Sequence, residues 1–298
     1  MVQFGSRVGL IGVGNMGGRI GARMHETGTD IVGFHRDPAR VSRWGLDAVG
    51  SIAELTRGAD IVVLCLPDSP AVESVVTGPD GVLSAARPGQ LVIDMTSALP
   101  ASTRRLAGLV GAEGVHYLDA PVSGGARSVA GGKLTLMVGG ERADLDAVRW
   151  LLERVSSGIH YMGPSGSGHL TKILNNFLNS VSLAASSEAM VGARSAGLDM
   201  HEFLDVLSTS SGRNYAIETR FPHILEGDYP EGGITVDLMI KEVASYLDVA
   251  AELHLSSSIG SGAMAAFRLA SILGYGDQIN SRVVDAVGDA AGGVRIHS

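Results

Sequence analysis

The chain has 298 residues, 45% of them hydrophobic and 18% charged, and 23 Lys and Arg against 31 Asp and Glu leave a formal net charge of −8. That length suits two domains, each able to bury a core; the apolar content excludes a disordered chain, and the acidic balance without a dense basic run excludes a nucleic-acid binder. One cysteine, Cys65, rules out an intramolecular disulfide, and with no apolar run of membrane-spanning length and no leader pattern the expectation is a cytoplasmic protein.

Arg7-Val8-Gly9-Leu10-Ile11 reads as a strand ending at Gly12-Val13-Gly14-Asn15-Met16-Gly17, and a helix follows with Ile20 and Met24 at helical spacing and Gly28 as its stop. Asp30 to Phe34 reads as a second strand. A GxGxxG pattern between a strand and a helix is the context that dinucleotide binding requires, the alternative being a glycine-rich structural turn. Gly12 permits the tight turn, Gly14 lets the backbone approach a pyrophosphate, and Gly17 lets helix pack on strand, while the helix start at Asn15 and Met16 turns its N–H groups to the anion.

His35-Arg36-Asp37 close the second strand, with Arg40 one turn on. An NAD site places a carboxylate here for the ribose hydroxyls, whereas a 2′-phosphate needs cations. The Arg36 fork suits phosphate, so NADP is expected over NAD, and Asp37 keeps NAD open.

The alternation continues with a capping-box pattern at Ser51 to Glu54, a strand at Asp60 to Leu66, a helix at Pro70 to Val76 and a strand at Leu91 to Met95. Repeated βα units imply a doubly wound parallel sheet, a Rossmann arrangement over residues 1–164. Ligands of such sheets lie at the carboxyl ends of the strands, which places Leu66, Pro67 and Thr96 along the cofactor edge. Cys65 lies within an apolar strand and reads as a small buried hydrophobe rather than a nucleophile. The nine histidines show no metal-ligand spacing, and no metal site is expected. Strands at His116 to Ala120 and Leu134 to Val138 flank a Gly- and Ser-rich loop, in which Ser123, Gly124 and Gly125 form either a nest for a carboxylate or a flexible connection. A helix at Glu141 to Val155 and a strand at Gly158 to Met162 complete this half.

Residues 165–298 read as an all-helical domain. Gly166 to Gly197 bounds a helix of about 45 Å, long enough to link two domains. Leu170, Ile173, Leu174, Phe177, Leu178 and Val181 recur at helical spacing and form a face expected to be buried. A second stripe, Lys172, Asn175, Asn176, Asn179 and Ser182, is either the wall of a ligand pocket or a polar groove between helices, and Lys172 and Asn176, at i and i+4, reach one small ligand. Further helices are expected from Asp199, whose DxxE pattern is a cap, at Ile234 to Leu253 and at Ile259 to Leu273. Lys241, inside an apolar helix, reads by itself as a snorkelling surface lysine. The Gly- and Ala-rich Ser256 to Leu273 suits packing between protomers or within one core.

Four motifs carry a resemblance over nearly the whole chain: GLIGVGNMGGRI at Gly9 to Ile20, DAPVSGGARSVAGG at Asp119 to Gly132, GxGxxxKxxNN at Gly166 to Asn176 and DLMIKE at Asp237 to Glu242. In this order and spacing they resemble the β-hydroxyacid dehydrogenase family, and the Asn-Asn pair with Ser210-Ser211-Gly212-Arg213 resembles its 3-hydroxyisobutyrate branch. The resemblance implies a Rossmann domain, a long interdomain helix, a helical second domain and a homodimer or homotetramer formed through it. It implies hydride transfer between NAD(P) and a short 3-hydroxy carboxylic acid, with Lys172 the general acid/base, Ser123, Gly124 and Gly125 the carboxylate loop, Asn176 and Arg213 at the substrate and Lys241 near the cofactor. Two departures stand out: Glu242 where the family commonly has Asp, and Tyr215 where the branch commonly has Trp. Alternatives are an NADPH-dependent reductase of small aldehyde acids such as succinic or tartronate semialdehyde, and a catalytically silent cofactor-binding scaffold, which typically lacks the lysine kept here as Lys172.

Overall fold

The computed structural model describes residues 4–229 and 233–297. The chain divides into two compact units, one ending at Lys172 and the other beginning at Ile173. In the first the elements run β1 (Val8–Ile11), α1 (Asn15–Glu26), β2 (Ile31–Phe34), α2 (Ala39–Ser42), β3 (Asp47–Ala48), α3 (Ile52–Gly58), β4 (Ile61–Leu64), α4 (Ser69–Thr77), β5 (Leu91–Asp94), α5 (Pro100–Ala112) and β6 (His116–Asp119). After β6 come β7 (Val122–Ser123), α6 (Gly125–Ala130), β8 (Leu134–Gly139), α7 (Arg142–Leu152) and β9 (Ser156–Gly163).

The strands form one sheet in the order β3-β2-β1-β4-β5-β6-β8-β7, with β9 paired to β8. From β3 to β6 all pairs are parallel. β1, β4 and β5 are buried along their whole length, as strands covered on both faces must be. The period of two divides their side chains cleanly. Leu10, Val63 and Ile93 join one core with Ile20 and Met24 of α1, and Ile11, Val62, Leu64 and Val92 join the other with Leu55, Val72 and Leu106 of α3, α4 and α5.

Beyond β6 the sheet departs from the expected parallel winding, because β8 runs antiparallel to β6 and β7. A parallel return needs a long crossover, and six residues of α6 cover only about 9 Å against roughly 20 Å of strand to be recrossed. The stretch expected as a loop at 121–133 is therefore ordered, its Ser123 paired opposite Thr135 and its Gly125 opening α6. At the capping box, Ser51 Oγ accepts from Glu54 N at 3.1 Å, while the Glu54 carboxylate reaches one residue further back to Gly50 N at 2.8 Å.

α8 (Ser167–Ser195) begins in the first unit. Its start hangs on Asp119 at the end of β6, whose Oδ1 accepts from Gly166 N at 2.7 Å and whose Oδ2 accepts from His169 N at 2.9 Å. An acidic group satisfying orphan N–H donors at a helix start is favourable on both hydrogen-bonding and dipole grounds. Close approach is what glycines permit here: a Cβ on Gly139 would lie 2.6 Å from Asp119 Oδ1, and one on Gly168 would lie 2.3 Å from the Met137 carbonyl oxygen. Thr103 Oγ1 of α5, 2.6 Å from His169 Nδ1, makes a second buried tie.

In the second unit α8 continues and is followed by α9 (Met200–Thr209), α10 (Tyr215–Thr219), α11 (Phe221–Leu225), α12 (Val236–Glu252), α13 (Ser258–Ala270) and α14 (Val283–Ala290). Leu183, Met190, Phe221, Met239, Phe267 and Val283 are among its core. Asp199 caps α9, accepting from His201 N and Glu202 N, both at 3.0 Å. α13 stops at Ala270, short of the expected Leu273, and Gly274 takes a φ of +93° beyond it. Among the small residues of α13, Gly260 serves internal packing, since a Cβ there would lie 2.7 Å from the Tyr246 ring of α12, whereas Gly262 is exposed with nothing within 4 Å of an added Cβ. Among the described residues no helix is long and apolar enough to cross a membrane.

The buried face of α8 is not the apolar one expected. Ile173 is buried, but Leu174 is 38% and Leu178 65% exposed, while Lys172 and Asn176 are 9% and 4% exposed. Hydrophobic periodicity is blind to polar groups whose hydrogen bonds are met internally, and here they are: Asn176 bonds Glu242, Ser180 Oγ donates to Phe177 O and Ser187 Oγ to Leu183 O.

Two glycines of α8 give opposite expectations. Gly168→Ala should lower stability to urea by roughly 1–3 kcal/mol, because its Cβ meets a backbone oxygen that cannot swing away. Gly192→Ala, at an exposed position where a Cβ meets nothing within 4 Å, should raise it by up to about 1 kcal/mol. Equal effects of the two substitutions would contradict the clamp at the helix start.

Candidate functional site

The carboxyl ends of β1, β2, β4 and β5 lie side by side and carry the residues expected at a cofactor. At the turn after β1, Gly12 has φ +97°, and its Cβ would lie 2.3 Å from the Cys65 carbonyl oxygen, so both conformation and space demand glycine. A Cβ on Gly17 would lie 2.1 Å from Gly12 O. Gly14, by contrast, faces open space, with nothing within 4 Å of an added Cβ. It precedes α1 without a side-chain cap, so the first-turn N–H groups of Asn15, Met16 and Gly17 have no capping side chain. Asn15 Oδ1 instead accepts from Arg19 Nε at 3.2 Å. Open space over an uncapped helix start is what a pyrophosphate fills, and these residues fit a dinucleotide.

At the end of β2, Asp37 Oδ1 accepts from Ala39 N at 3.1 Å, so the carboxylate caps its own turn, and Asp37 N donates to His35 Nδ1 at 3.0 Å. Arg36 is exposed beside them. Leu66 N donates to Thr96 Oγ1 at 3.1 Å, joining the ends of β4 and β5, with Pro67 next in the chain. Cys65, just before, is half-buried, and desolvation, with the Asp94 carboxylate second, pushes its thiol up to about 12. It is an inert thiol, as its place in a strand end suggests.

The Ser123-Gly124-Gly125 turn contains two residues with positive φ, +123° at Gly124, which precedes α6, and +69° at Gly125, which opens it. Its Ser123 ends β7, and the same Asp119 that starts α8, at the end of β6, lies four residues upstream of it. Lys172 projects from the second turn of α8.

In the second unit, Asn176 Nδ2 donates to Glu242 Oε2 at 2.7 Å, and Lys241 Nζ lies 3.9 Å from Glu242 Oε1 on α12. A carboxylate accepts only, so it fixes which end of the Asn176 amide faces it and leaves one N–H of Nδ2 for another acceptor. Phe177 stacks on Tyr246 at 3.7 Å between ring centroids, pinning the two helices beside this pair. One turn further along α8, Asn179 Oδ1 accepts from Arg220 Nη2 at 3.1 Å. Arg213 sits exposed in the turn after α9, where its backbone N donates to Ser210 O, and Arg220, not singled out in the sequence, is the arginine joined to the polar stripe. A cavity of about 360 Å³ near the far end of α8, lined by Arg194, Leu198, Met200, Leu225 and Ile296, contains none of these groups.

The family model for the NAD binding domain of 6-phosphogluconate dehydrogenase matches residues 7–163, and that for the NAD-binding of NADP-dependent 3-hydroxyisobutyrate dehydrogenase matches residues 166–287. The chain belongs to the β-hydroxyacid dehydrogenase family. Among similar members of this family, 2-(hydroxymethyl)glutarate dehydrogenase of Eubacterium barkeri is 32% identical over 282 residues, covering 93% of each chain. Mouse mitochondrial 3-hydroxyisobutyrate dehydrogenase is 33% identical over 90% of this chain and 83% of its own. The solved structure of Mycobacterium tuberculosis 3-hydroxyisobutyrate dehydrogenase with L-serine superposes with a TM-score of 0.85 at 28% identity, covering 94% of this chain and 98% of that one. This β-hydroxyacid dehydrogenase is accordingly an NAD(P)-dependent oxidoreductase of hydroxy acids.

The Cys65 environment sets a pH expectation. Its thiol is held protonated in the folded chain and ionises near its ordinary value once unfolded, so its contribution to stability is fully present below about pH 8.5 and is lost as the pH rises towards 12. Cys65→Ala should therefore flatten the fall of urea-measured stability with pH in that window, and a disulfide reagent at pH 8 should label the unfolded chain far faster than the folded one. Equal labelling rates would contradict the half-buried, protonated thiol.

Proposed function

We propose that the enzyme interconverts a short 3-hydroxy carboxylic acid, 3-hydroxyisobutyrate or a close analogue, and its semialdehyde, with Lys172 as general acid/base and NADP preferred over NAD. The observation that carries this reading is the pairing on α8 of a buried lysine with a buried amide one turn on, the amide aimed by Glu242. Oxidation of an alcohol requires a hydride acceptor, which the nicotinamide supplies when bound, and a base for the hydroxyl proton. Lys172 Nζ takes that proton in oxidation and returns it to the forming alkoxide in reduction. The second N–H of Asn176 Nδ2 donates to the same substrate oxygen, steadying the charge that develops there. The Ser123 hydroxyl and the backbone N–H groups of Gly124 and Gly125 receive the substrate carboxylate.

Support for NADP comes from the turn after β2. Asp37, the carboxylate that would favour NAD, is occupied with Ala39 N, and Arg36 is exposed for a 2′-phosphate. The exposed Leu174 and Leu178 of α8 and Ile259 of α13 support a homodimer or homotetramer; light scattering that finds a single species at the monomer mass, 30.8 kDa, would overturn that.

One assay addresses the chemistry, following nicotinamide absorbance with both cofactors over a panel of short 3-hydroxy acids. Lys172→Ala should lower turnover by about 10² to 10⁴-fold with cofactor affinity near wild type, and Arg36→Ala should raise the KM for NADP by roughly tenfold with little change for NAD. Unchanged turnover in the first variant would remove Lys172 from the chemistry, and equal effects on both cofactors in the second would remove Arg36 from the choice between them.

A further inference from the structure

Arg220 stands apart from the other well-anchored arginines of the second unit. Arg282 and Arg295 pair with the carboxylates of Asp285 and Asp289. Arg220 has hydrogen bonds only to neutral amide oxygens among the described residues: Nη1 donates to Asn280 Oδ1 at 2.7 Å and Nη2 to Asn179 Oδ1 at 3.1 Å. The Tyr215 ring lies 5.7 Å from its Cζ, and no ion pair involves it among the described residues. Burial pulls the guanidinium below its ordinary pKa, with the Tyr215 phenol acting weakly the other way. The side chain is half-buried, and drawing a cation even partly out of water without a counter-charge is costly. The surroundings are short of acceptors as well, because the other end of the Asn280 amide, Nδ2, is a buried donor without a partner among the described residues, and Asn280 itself is 1% exposed.

The place of this cation on the helix gives it a role. Lys172, Asn176 and Asn179 fall within about 60° of one another around α8, and Asn179 lies about 4.5 Å further along the axis than Asn176. We propose that Arg220, held by Asn179 and Asn280, is a second anion site that takes a carboxylate a few carbons from the reacting carbinol, so that the preferred substrates are hydroxy acids bearing two carboxylates. This rests on the reading that Asn176 faces the reacting hydroxyl. Two of the five guanidinium N–H groups are used in positioning the fork, which leaves a charged donor edge for a carboxylate. The Tyr215 ring supports the guanidinium where a branch relative commonly has Trp, and the Asn214 side chain beside it bonds Ser186 of α8 at 3.1 Å, fixing the segment from which Arg220 comes.

Three probes isolate the second carboxylate: 3-hydroxyisobutyrate, 2-(hydroxymethyl)glutarate, and 2-(hydroxymethyl)pentanoate as the chain-length analogue without the second charge. Wild type should show a kcat/KM for the glutarate at least about tenfold above that for the pentanoate. In Arg220→Gln that ratio should fall to about one, and Arg220→Lys should keep part of it, each variant being checked for native circular dichroism and melting. A wild-type ratio near one, or a ratio unchanged in folded Arg220→Gln, overturns the proposal. Glutarate, which has no hydroxyl to oxidise, provides an arm independent of turnover: it should raise the melting temperature of wild type but not of Arg220→Gln, and butyrate should raise neither. Arg220-dependent glutarate binding without turnover of any hydroxy acid would leave the anion site standing and sink the proposed reaction. Absence of glutarate binding to wild type would sink the anion site whatever the enzyme turns over.

Discussion

One buried carboxylate decides where the long helix begins. Asp119 accepts from the backbone of Gly166 and His169, and Gly139 and Gly168 are small because it must come that close. Fixing the first N–H groups of a helix fixes the angular position of every residue after them, since each step turns the chain by about 100°. A slip of one residue would carry Lys172 and Asn176 off the buried side and bring their neighbours in. The chemistry assigned to α8 is thus set by a residue on a β-strand that takes no part in it.

Along the same helix several polar side chains that turn inward are answered by later residues. Asn176 is met by Glu242, Asn179 by Arg220, and Ser186 by Asn214. Each of these partners lies between residues 214 and 242, so α8 and the segments after it form a polar seam within the second unit. Both departures from the family pattern fall on this seam. Glu242 has a longer reach than Asp and makes a 2.7 Å bond with Asn176, and Tyr215 lies under the Arg220 guanidinium. They touch Asn176 and Arg220, the two side chains that the proposed reading sets at the substrate.

What the sequence makes legible is local. The GxGxxG spacing of Gly12 to Gly17 stands between a strand and a helix, the caps at Ser51 and Asp199 span three positions, and β1, β4 and β5 read as short apolar runs. What stays hidden depends on residues far apart in the chain. Nothing near Asp119 in the chain marks it until Gly166 is placed 47 positions later against it, and nothing near Arg220 marks it until Asn179, 41 positions earlier, accepts from it. The return of β8 against β6 is invisible for a related reason, because strand direction depends on how much chain remains for the crossing rather than on strand composition. The apolar spacing of α8 misleads about its buried side, since periodicity counts methyl groups and takes no account of where amides find partners.

β1 and the turn after it hold glycines of two kinds with different histories open to them. The space missing at Gly12 is occupied by a backbone oxygen, that of Cys65, which every residue at position 65 would present alike. At Gly9 the space is occupied by the Leu55 side chain, 2.2 Å from an added Cβ, and a smaller residue at 55 would vacate it. A lineage can therefore exchange Gly9 and Leu55 together as a compensating pair, whereas no second substitution at 65 opens a route away from Gly12.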